Sequence, residues 1–471
     1  MSEKRLKTAF FCAIFAVNFI LAAGDISYES SAHLCERCKC QTRATTFILD
    51  CTSQQMTNTL ANWPEDASPP NITRIVAHFN KNALVRLKPL PETSAEVTVY
   101  YTHNSIEQLD SGLFANCINV TSLDLSYNKI KSDVLITDVF RGPYDDNLYE
   151  PIALRTLNLA HNELHTIGKN VFEHLLELRS LDLSGNRFRI IDQLTYLSFQ
   201  KLPKLENLNL ASNRLIHLNN TGFNELKTLH ILDISYNDLS FIPYVVQDVS
   251  KTLKILRVDG NPIVEIRDAD FVGMDVLTEL YASNLSQLNE IKPNAFGALP
   301  NLQKIDLSGM PSNVILSDHV FNTSLRELNM SNSDLELIPK EFLDWSQLTT
   351  LDLRGNQLYC TCDLHNITAQ LQDVVKRDRD AAYCFDYKRY KQYKMYSLTE
   401  EICFEHDEYL GTYSHIASTE RIMRMVLLST SILLIICLFI AAWLGYVKCY
   451  RNQRNYGFAT SVTYAPIIPR T

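Results

Sequence analysis

The sequence predicts an α/β solenoid: short repeat units with one strand each, stacked in parallel, capped at both ends by disulfides and followed by one membrane-crossing helix. Three observations carry that expectation. The phrase L-x-x-L-x-L-x-x-N-x-L recurs along most of the chain. Four cysteines lie just ahead of the first repeat and four follow the last. A run of 23 residues without a charge, Met425 to Val447, lies near the C-terminus.

The phrase reads LRTLNLAHNEL from Leu154, LRSLDLSGNRF from Leu178, LENLNLASNRL from Leu205 and LHILDISYNDL from Leu229. It returns as LKILRVDGNPI from Leu253 and LTTLDLRGNQL from Leu348. The Asn position, or its replacement, falls at 80, 104, 128, 162, 186, 213, 237, 261, 285, 310, 333 and 356, a period near 24 with one gap of 34 and one of 27. Phenylalanines mark the far side of the units, from Phe114 to Phe342. Such a repeat is the leucine-rich repeat. One unit cannot bury its own apolar face, so units stack into a horseshoe whose L-x-L triplets form a parallel sheet, strands ~4.8 Å apart. The recurring Asn is expected to satisfy backbone groups between neighbouring units. Leu285 and Met310 stand at that position, so the solenoid is expected to be irregular there.

Stacking leaves two apolar ends that need caps. Cys35, Cys38, Cys40 and Cys51 sit before the repeats and Cys360, Cys362, Cys384 and Cys403 after them. Even clusters of this kind read as disulfides in an oxidising compartment, and each set of four allows three connectivities. The resemblance to extracellular leucine-rich-repeat caps implies Cys35–Cys40, Cys38–Cys51, Cys360–Cys384 and Cys362–Cys403. Cys117 occupies a Leu-type position and reads as a buried, inert thiol.

Residues 1–24 read as a signal peptide: basic Lys4, Arg5 and Lys7, an apolar run, then small residues before Asp25. Residues 425–447 are long enough to span a ~30 Å hydrocarbon core, and Lys448, Arg451 and Arg454 behind them orient the tail to the cytosol. The expected order is therefore signal peptide (1–24), N-terminal cap (35–62), eleven to twelve repeats (72–359, with an inserted loop at 141–153) and C-terminal cap (360–403). A stalk (404–424), transmembrane helix (425–447) and cytoplasmic tail (448–471) complete it. This is a single-pass type I protein of the plasma membrane, N-terminus outside. Sequons at Asn71, Asn119, Asn219, Asn284, Asn322, Asn329 and Asn366 all fall on the extracellular side. Tail candidates are Cys449 for palmitoylation and Tyr464 to Ile467 as a Y-x-x-Φ endocytic motif.

The net charge is −9, yet residues 1–24 carry +2 and 448–471 carry +4, so the stretch between carries −15. An acidic body excludes nucleic acid as a partner. No P-loop, G-x-S-x-G or dinucleotide fingerprint occurs, and His161 and His165 read H-N-E-L-H rather than H-E-x-x-H. No enzyme, cofactor or metal is expected; an enzyme is the remote alternative.

Recognition remains. The middle residue of each triplet points from the sheet face: Asp124, Asn158, Asp182, Asn209, Asp233, Arg257, Tyr281, Asp306, Asn329 and Asp352. Arg257 and Tyr281 break this Asp/Asn row on adjacent strands, with Glu279 and Tyr236 beside them, and Arg and Tyr are the types enriched at interface hot spots. A glycan at Asn329 would push binding towards the middle of that face. Two other surfaces compete: the inserted loop with Tyr144 and Tyr149, and the C-terminal cap. There Tyr387, Tyr390, Tyr393 and Tyr396 interleave with Lys388, Arg389, Lys391 and Lys394 and suit a sulfated glycan or an acidic partner.

One stretch resembles the trophoblast glycoprotein family: an insertion between Phe140 and Leu154, repeats from Leu154 and Leu178, then LTYLSF over Leu194–Phe199. The likeness covers residues 140–226 and implies a dampener of Wnt signalling at the cell surface. Six further repeats and a Pro469-Arg470-Thr471 terminus depart from it. The expected function is binding of an extracellular or membrane protein, as an adhesion or ligand-capture receptor. The alternative is a companion acting in cis on a Wnt receptor or a channel.

Overall fold

The computed structural model describes residues 34–404, apart from 146–147, 219–221, 322–324 and 377–381, together with 440–444. The chain divides into two compact units, residues 1–402 and 403–471. In the second, residues 440–444 are helical. The signal peptide, stalk, Cys449, Tyr464 and Ile467, and the sequons Asn219 and Asn322, lie outside the described residues. Nearly all of the apolar run 425–447 does too. Among the described residues no helix is long and apolar enough to cross a membrane.

The first unit is built on one fourteen-stranded sheet. The N-terminal cap supplies β1 (Lys39–Arg43) and β2 (Thr46–Asp50), and the first repeats supply β3 (Arg74–His78), β4 (Glu96–Tyr100) and β5 (Val120–Asp124). Nine three-residue strands follow: β6 (Thr156–Asn158), β7 (Ser180–Asp182), β8 (Asn207–Asn209), β9 (Ile231–Asp233), β10 (Ile255–Arg257), β11 (Glu279–Tyr281), β12 (Lys304–Asp306), β13 (Glu327–Asn329) and β14 (Thr350–Asp352). Only β1 and β2 pair antiparallel; every later neighbour is parallel, with a register shift between β4 and β5 and, from β5 to β11, Leu over Leu. Because side chains alternate across a strand, the central Leu or Ile of each three-residue strand is buried and its flanking residues face outward.

Behind the sheet the phenylalanines form a spine. Ring centroids lie 6.2 Å apart from Phe114 to Phe140, 6.3 Å from Phe140 to Phe172 and 6.4 Å from Phe199 to Phe223. These spacings exceed the ~4.8 Å between strands, which puts the sheet on the inner side of the curve. The outer side is mostly 3-10 turns and irregular chain, since 24-residue units leave little room for more. The 27-residue unit between Asn186 and Asn213 has that room and forms the helix Gln193–Phe199 there, capped by Asp192 accepting from the Thr195 amide. LTYLSF is this helix, with Thr195, Tyr196, Ser198 and Phe199 buried. The longer gap before Asn162 holds a small hairpin, Tyr144–Asp145 against Leu148–Tyr149.

Each ladder asparagine ties two repeats. Asn237 donates to Leu210 O (3.0 Å) in the preceding repeat and to Ile234 O (2.9 Å) and Ser235 O (3.1 Å) in its own turn, while its oxygen accepts from Leu215 N at 3.0 Å. The same pattern begins at Asn82, which donates to Cys51 O and Phe79 O, and not at the Asn80 the spacing suggested. Asn80 sits two residues earlier and caps the amide of Thr102 instead. Two asparagines this close are equivalent by period alone; the turn geometry selects the second.

Disulfides Cys35–Cys40 and Cys38–Cys51 close the N-terminal cap, and Cys360–Cys384 the C-terminal one. Cys362 and Cys403 are each disulfide-bonded. Cys117 is free and buried, and burial pushes its thiol up to about 12, so it stays protonated and unreactive.

Candidate binding face

Most of the outward Asp/Asn row performs a structural duty. Each side chain accepts a hydrogen bond from the amide two residues on, closing the turn after its strand: Asp182 from Ser184 N (2.8 Å), Asn209 from Ala211 N (3.0 Å), Asp306 from Ser308 N (2.9 Å), Asp352 from Arg354 N (3.0 Å). This is the Asx turn that suits short polar side chains. Neighbours in the row also bond each other, as Asn158 does with Asp124 (3.2 Å) and Asn209 with Asp182 (3.2 Å).

Tyr281 cannot make that bond, and the structure supplies a substitute. The Ser283 amide donates at 2.8 Å to Asp259, which stands two residues past Arg257 on the neighbouring turn. The Ser283 hydroxyl adds a 2.7 Å bond to the same oxygen. Position 281 is thereby released from closing its own turn.

What occupies the released surface is a compact cluster. Register pairs Arg257 with Tyr281, Tyr281 with Asp306, and Glu279 with Lys304. The Arg257 guanidinium carbon lies 3.8 Å from the Tyr281 ring centroid, and Lys304 Nζ lies 5.4 Å from it on the opposite strand. The Tyr281 hydroxyl donates to Glu279 at 2.8 Å. Lys304 reaches Glu327 at 3.6 Å. Its interaction with the Tyr281 hydroxyl, then the Tyr281, Glu327 and Glu279 charges, hold Lys304 above the ordinary lysine value. Burial pushes the Asp233 carboxyl up, against hydrogen bonds from Ser235 and the nearby Arg257 charge. A cation stacked on Tyr contributes ~0.5–1 kcal/mol at exposed sites and more once desolvated. Towards the N-terminus half-buried Ile231 and Ile255 extend the patch as an apolar shelf.

Arg257, Tyr281 and Glu279 are thus brought together. Tyr236 is not part of the cluster: its backbone is left-handed, and its ring lies over Gly260, where a Cβ would come within 2.4 Å of it. It belongs to a lateral row of left-handed residues one place before each ladder position. Lys304, Glu327, Ile231 and Ile255 are not among the residues the sequence singles out, since apart from Glu279 the row of middle triplet residues omits the position two before each. Period-two alternation places the residue two earlier on the same face, and that signal would have found all four.

The competing surfaces are arranged differently. In the hairpin Tyr144 and Leu148 are exposed, whereas Tyr149 is fastened down: its hydroxyl accepts from Arg141 at 3.0 Å and its ring meets His174 edge-on at 5.4 Å. In the C-terminal cap the tyrosines do not form one ribbon. Tyr387 and Tyr390 lie in the turn between the paired strands Tyr383–Asp386 and Lys391–Lys394, Tyr393 lies on the second strand and Tyr396 in a following 3-10 turn. Arg389 is engaged internally, by Asp386 at 2.8 Å and by the Glu401 and Ile402 carbonyls. His161 and His165 part company: His161 stacks on Tyr127 at 4.2 Å, and His165 faces Ser132. Among the sequons, Asn71, Asn284 and Asn366 are exposed, but Asn119 and Asn329 are half-buried, with their amide nitrogens donating to Ser94 O and to Asp306, each at 3.0 Å.

Comparison with known proteins agrees with the repeat. A family profile described as Leucine rich repeat matches residues 147–188 and 251–310, and a second, Leucine Rich repeat, matches 116–133. Tsukushi of Gallus gallus is 29% identical over 271 residues, covering 56% of this chain and 62% of the relative. Podocan-like protein 1 of Mus musculus is 29% identical over 245 residues, covering 51% and 40%. This chain therefore spans less than two thirds of either relative's length. The likeness is far wider than the local one at residues 140–226: the chain carries leucine-rich repeats and is similar to Tsukushi and podocan-like protein 1 along about half its length. Among solved structures, a chain of the octameric complex of Latrophilin 3, Unc5D and FLRT2 superposes with a TM-score of 0.50 at 19% identity, covering 77% of this chain and 98% of that one. That match establishes the fold alone. The disulfides agree with an oxidising, extracellular setting.

Proposed function

We propose that this chain is a cell-surface binding protein that engages a protein partner through the sheet face centred on Arg257 and Tyr281, held at the plasma membrane by residues 425–447. The observation that carries the reading is the transfer of the turn bond to Asp259. Tyr281 cannot close its own turn as the Asp/Asn row does, and Asp259 of the preceding turn accepts the Ser283 amide in its stead. The ring is then fixed by Arg257 and Glu279 before any partner arrives. Preorganisation of this kind lowers the ordering cost of binding, and Tyr and Arg are the residues that dominate interface energies. The mechanism is binding, with Ile231 and Ile255 supplying apolar contact and Lys304 and Glu327 a charged rim.

Binding in trans, as adhesion or ligand capture, is the reading; action in cis on a neighbouring receptor or channel is the alternative. Cells displaying the full-length chain, probed with a panel of secreted and cell-surface ectodomains, separate the two. A saturable partner that loses at least tenfold in affinity with Tyr281→Ala or Arg257→Ala, at unchanged surface level, supports the assignment. Unchanged affinity in both variants removes this face from consideration, and Tyr144→Ser then tests the hairpin tip. A full-length protein that binds nothing in trans but co-purifies with a membrane protein transfers the weight to the cis role.

A further inference from the structure

On the flank of the repeats, away from the sheet face, a cavity of about 720 Å³ is lined by Arg187, Arg189, Arg214, His161 and Glu163 among others. Its size is that of an ordinary small-ligand site. Gly185 makes room for it: its φ is +64°, and a Cβ there would come within 2.4 Å of His161 Nδ1. The His161 ring lies instead over the glycine as the end of a stack running through Tyr127 to His103, with centroids 4.2 and 4.3 Å apart.

The charge here runs against that of the rest of the chain. Successive repeats place Lys129, Glu163, Arg187 and Arg214 one residue after the ladder Asn, and Lys131, His165 and Arg189 three residues after it. Glu163 is occupied by Arg187 at 3.2 Å. Among the described residues no carboxylate lies within ion-pair distance of Lys129, Lys131, Arg189 or Arg214. The stripe is bounded by Glu107 in the repeat before and Asp238 in the repeat after. Three repeat steps of ~5 Å give it a length of roughly 15 Å. Arg214 itself stands at φ +64°, directly after a ladder Asn, where the other repeats of the asparagine ladder keep an ordinary backbone.

We propose that this flank is a binding site for a linear sulfated glycan, with Arg189 and Arg214 as the principal sulfate ligands and Lys129 and Lys131 extending the track. Uncompensated cations on a net-acidic body concentrate their field in a groove, and guanidinium groups bind tetrahedral oxyanions through paired N–H donors. Sulfated polysaccharide is an abundant linear polyanion outside the cell, the oxidising setting with which the cap disulfides agree. The site is separate from the Arg257–Tyr281 face and from the C-terminal cap, so the protein could hold glycan and protein partner together.

The test is equilibrium binding of the purified full-length chain to immobilised heparin, with fully desulfated heparin as the second probe, in near-physiological salt. Arg189→Ala with Arg214→Ala is expected to weaken heparin binding at least tenfold. Arg214→Gly suits the left-handed backbone, so it is expected to keep or raise the thermal midpoint while weakening binding severalfold. Lys391→Ala with Lys394→Ala, in the cap, is expected to bind as the parent does. Absence of heparin binding by the parent, equal binding of desulfated heparin, loss confined to the cap variant, or retention of affinity by a folded Arg214→Gly protein would each overturn the assignment.

Discussion

From Asn82 to Asn261 eight consecutive repeats share one stitch, whereas the next three, at Leu285, Met310 and Ser333, do without the asparagine. In the first region each buried amide satisfies carbonyls of two repeats and an amide of the one before. In the second, Leu285 and Met310 fill the same line with apolar volume, and only Ser333 keeps part of the pattern, accepting from Met310 N and donating to Ser331 O at 3.1 Å. Cohesion there draws on an outer ladder whose strands, among the described residues of the first region, form only a two-stranded pair, Arg86–Leu87 with Gln108–Leu109. A three-stranded parallel ladder, Glu265–Ile266 to Glu290–Ile291 to Ile315–Leu316, forms where the asparagines stop. The phenylalanine spine tightens as well, to 5.7 and 4.8 Å between Phe271, Phe296 and Phe321. Tighter spacing outside, at constant strand spacing, means less curvature. The Arg257–Tyr281 cluster sits at the junction of the two regimes, its two strands falling one on each side. The lesson is that the repeat tolerates a change of stitch, and that surface variation accompanies it.

The sharpest way to break this comparison is to remove a stitch from the first region. Asn237→Ala removes the oxygen to which the Asn213 and Leu215 amides donate in a buried setting, and buried unsatisfied groups cost ~1–3 kcal/mol each. A loss of about 3–5 kcal/mol is expected, with poor delivery to the cell surface. Leu210→Ala in the adjacent repeat is fully buried and provides the packing reference at ~2–5 kcal/mol. If chemical unfolding finds Asn237→Ala milder than 1 kcal/mol, the ladder is decoration and packing alone holds the first region. The counterpart in the second region is Ser333→Ala, expected to cost only about 1 kcal/mol, because the serine replaces one stitch of several there.

Much of this architecture is legible in the sequence, and the failures have physical causes. The strands, the phenylalanine spine and the first ladder of leucines follow from a period, and a period survives any detail of side-chain conformation. The choice between Asn80 and Asn82 does not, because it depends on which of two amides faces the turn carbonyls. Arg257, Tyr281 and Glu279 could be read as a group, since adjacent strands in register bring equal positions together. The role of Asp259 could not. Its carboxylate serves a turn on the next repeat, a relation between residues 24 apart that no local pattern encodes. Tyr236 was misplaced for the same reason: three residues past a strand the chain has turned away from the face.

A smaller effect concerns the sequon in the second region. The Asn329 side chain closes its turn by accepting from Ser331 N at 3.1 Å while donating to Asp306, so the nitrogen that would carry a sugar is engaged inside the sheet row. Glycopeptide mass spectrometry is expected to find Asn71 and Asn366 occupied and Asn329 largely bare. Full occupancy at Asn329 would mean that the row is not closed when the chain meets the transferase, and that the second region folds later than the first.

The smallest effect separates the two kinds of support by pH. Amide stitches do not titrate, so acid sensitivity in the first region falls on its carboxylates, and Asp192 at the start of the helix is one of them. Burial would raise the pKa of Asp192, but hydrogen bonds from Thr166 Oγ1 at 2.6 Å, from Thr195 N at 2.9 Å and from the Thr195 hydroxyl outweigh it and hold the group below the ordinary aspartate value. A carboxyl whose folded pKa is depressed stabilises the fold at every pH above its unfolded value, and loses that contribution as pH falls through the folded one. Asp192→Ala is therefore expected to cost about 1 kcal/mol at pH 7, the usual worth of an N-cap, and progressively less below about pH 4. Paired thermal melts of parent and variant from pH 7 to pH 3 read this directly. A gap that stays constant across the range would assign the loss to shape at the helix start rather than to the charge of the cap.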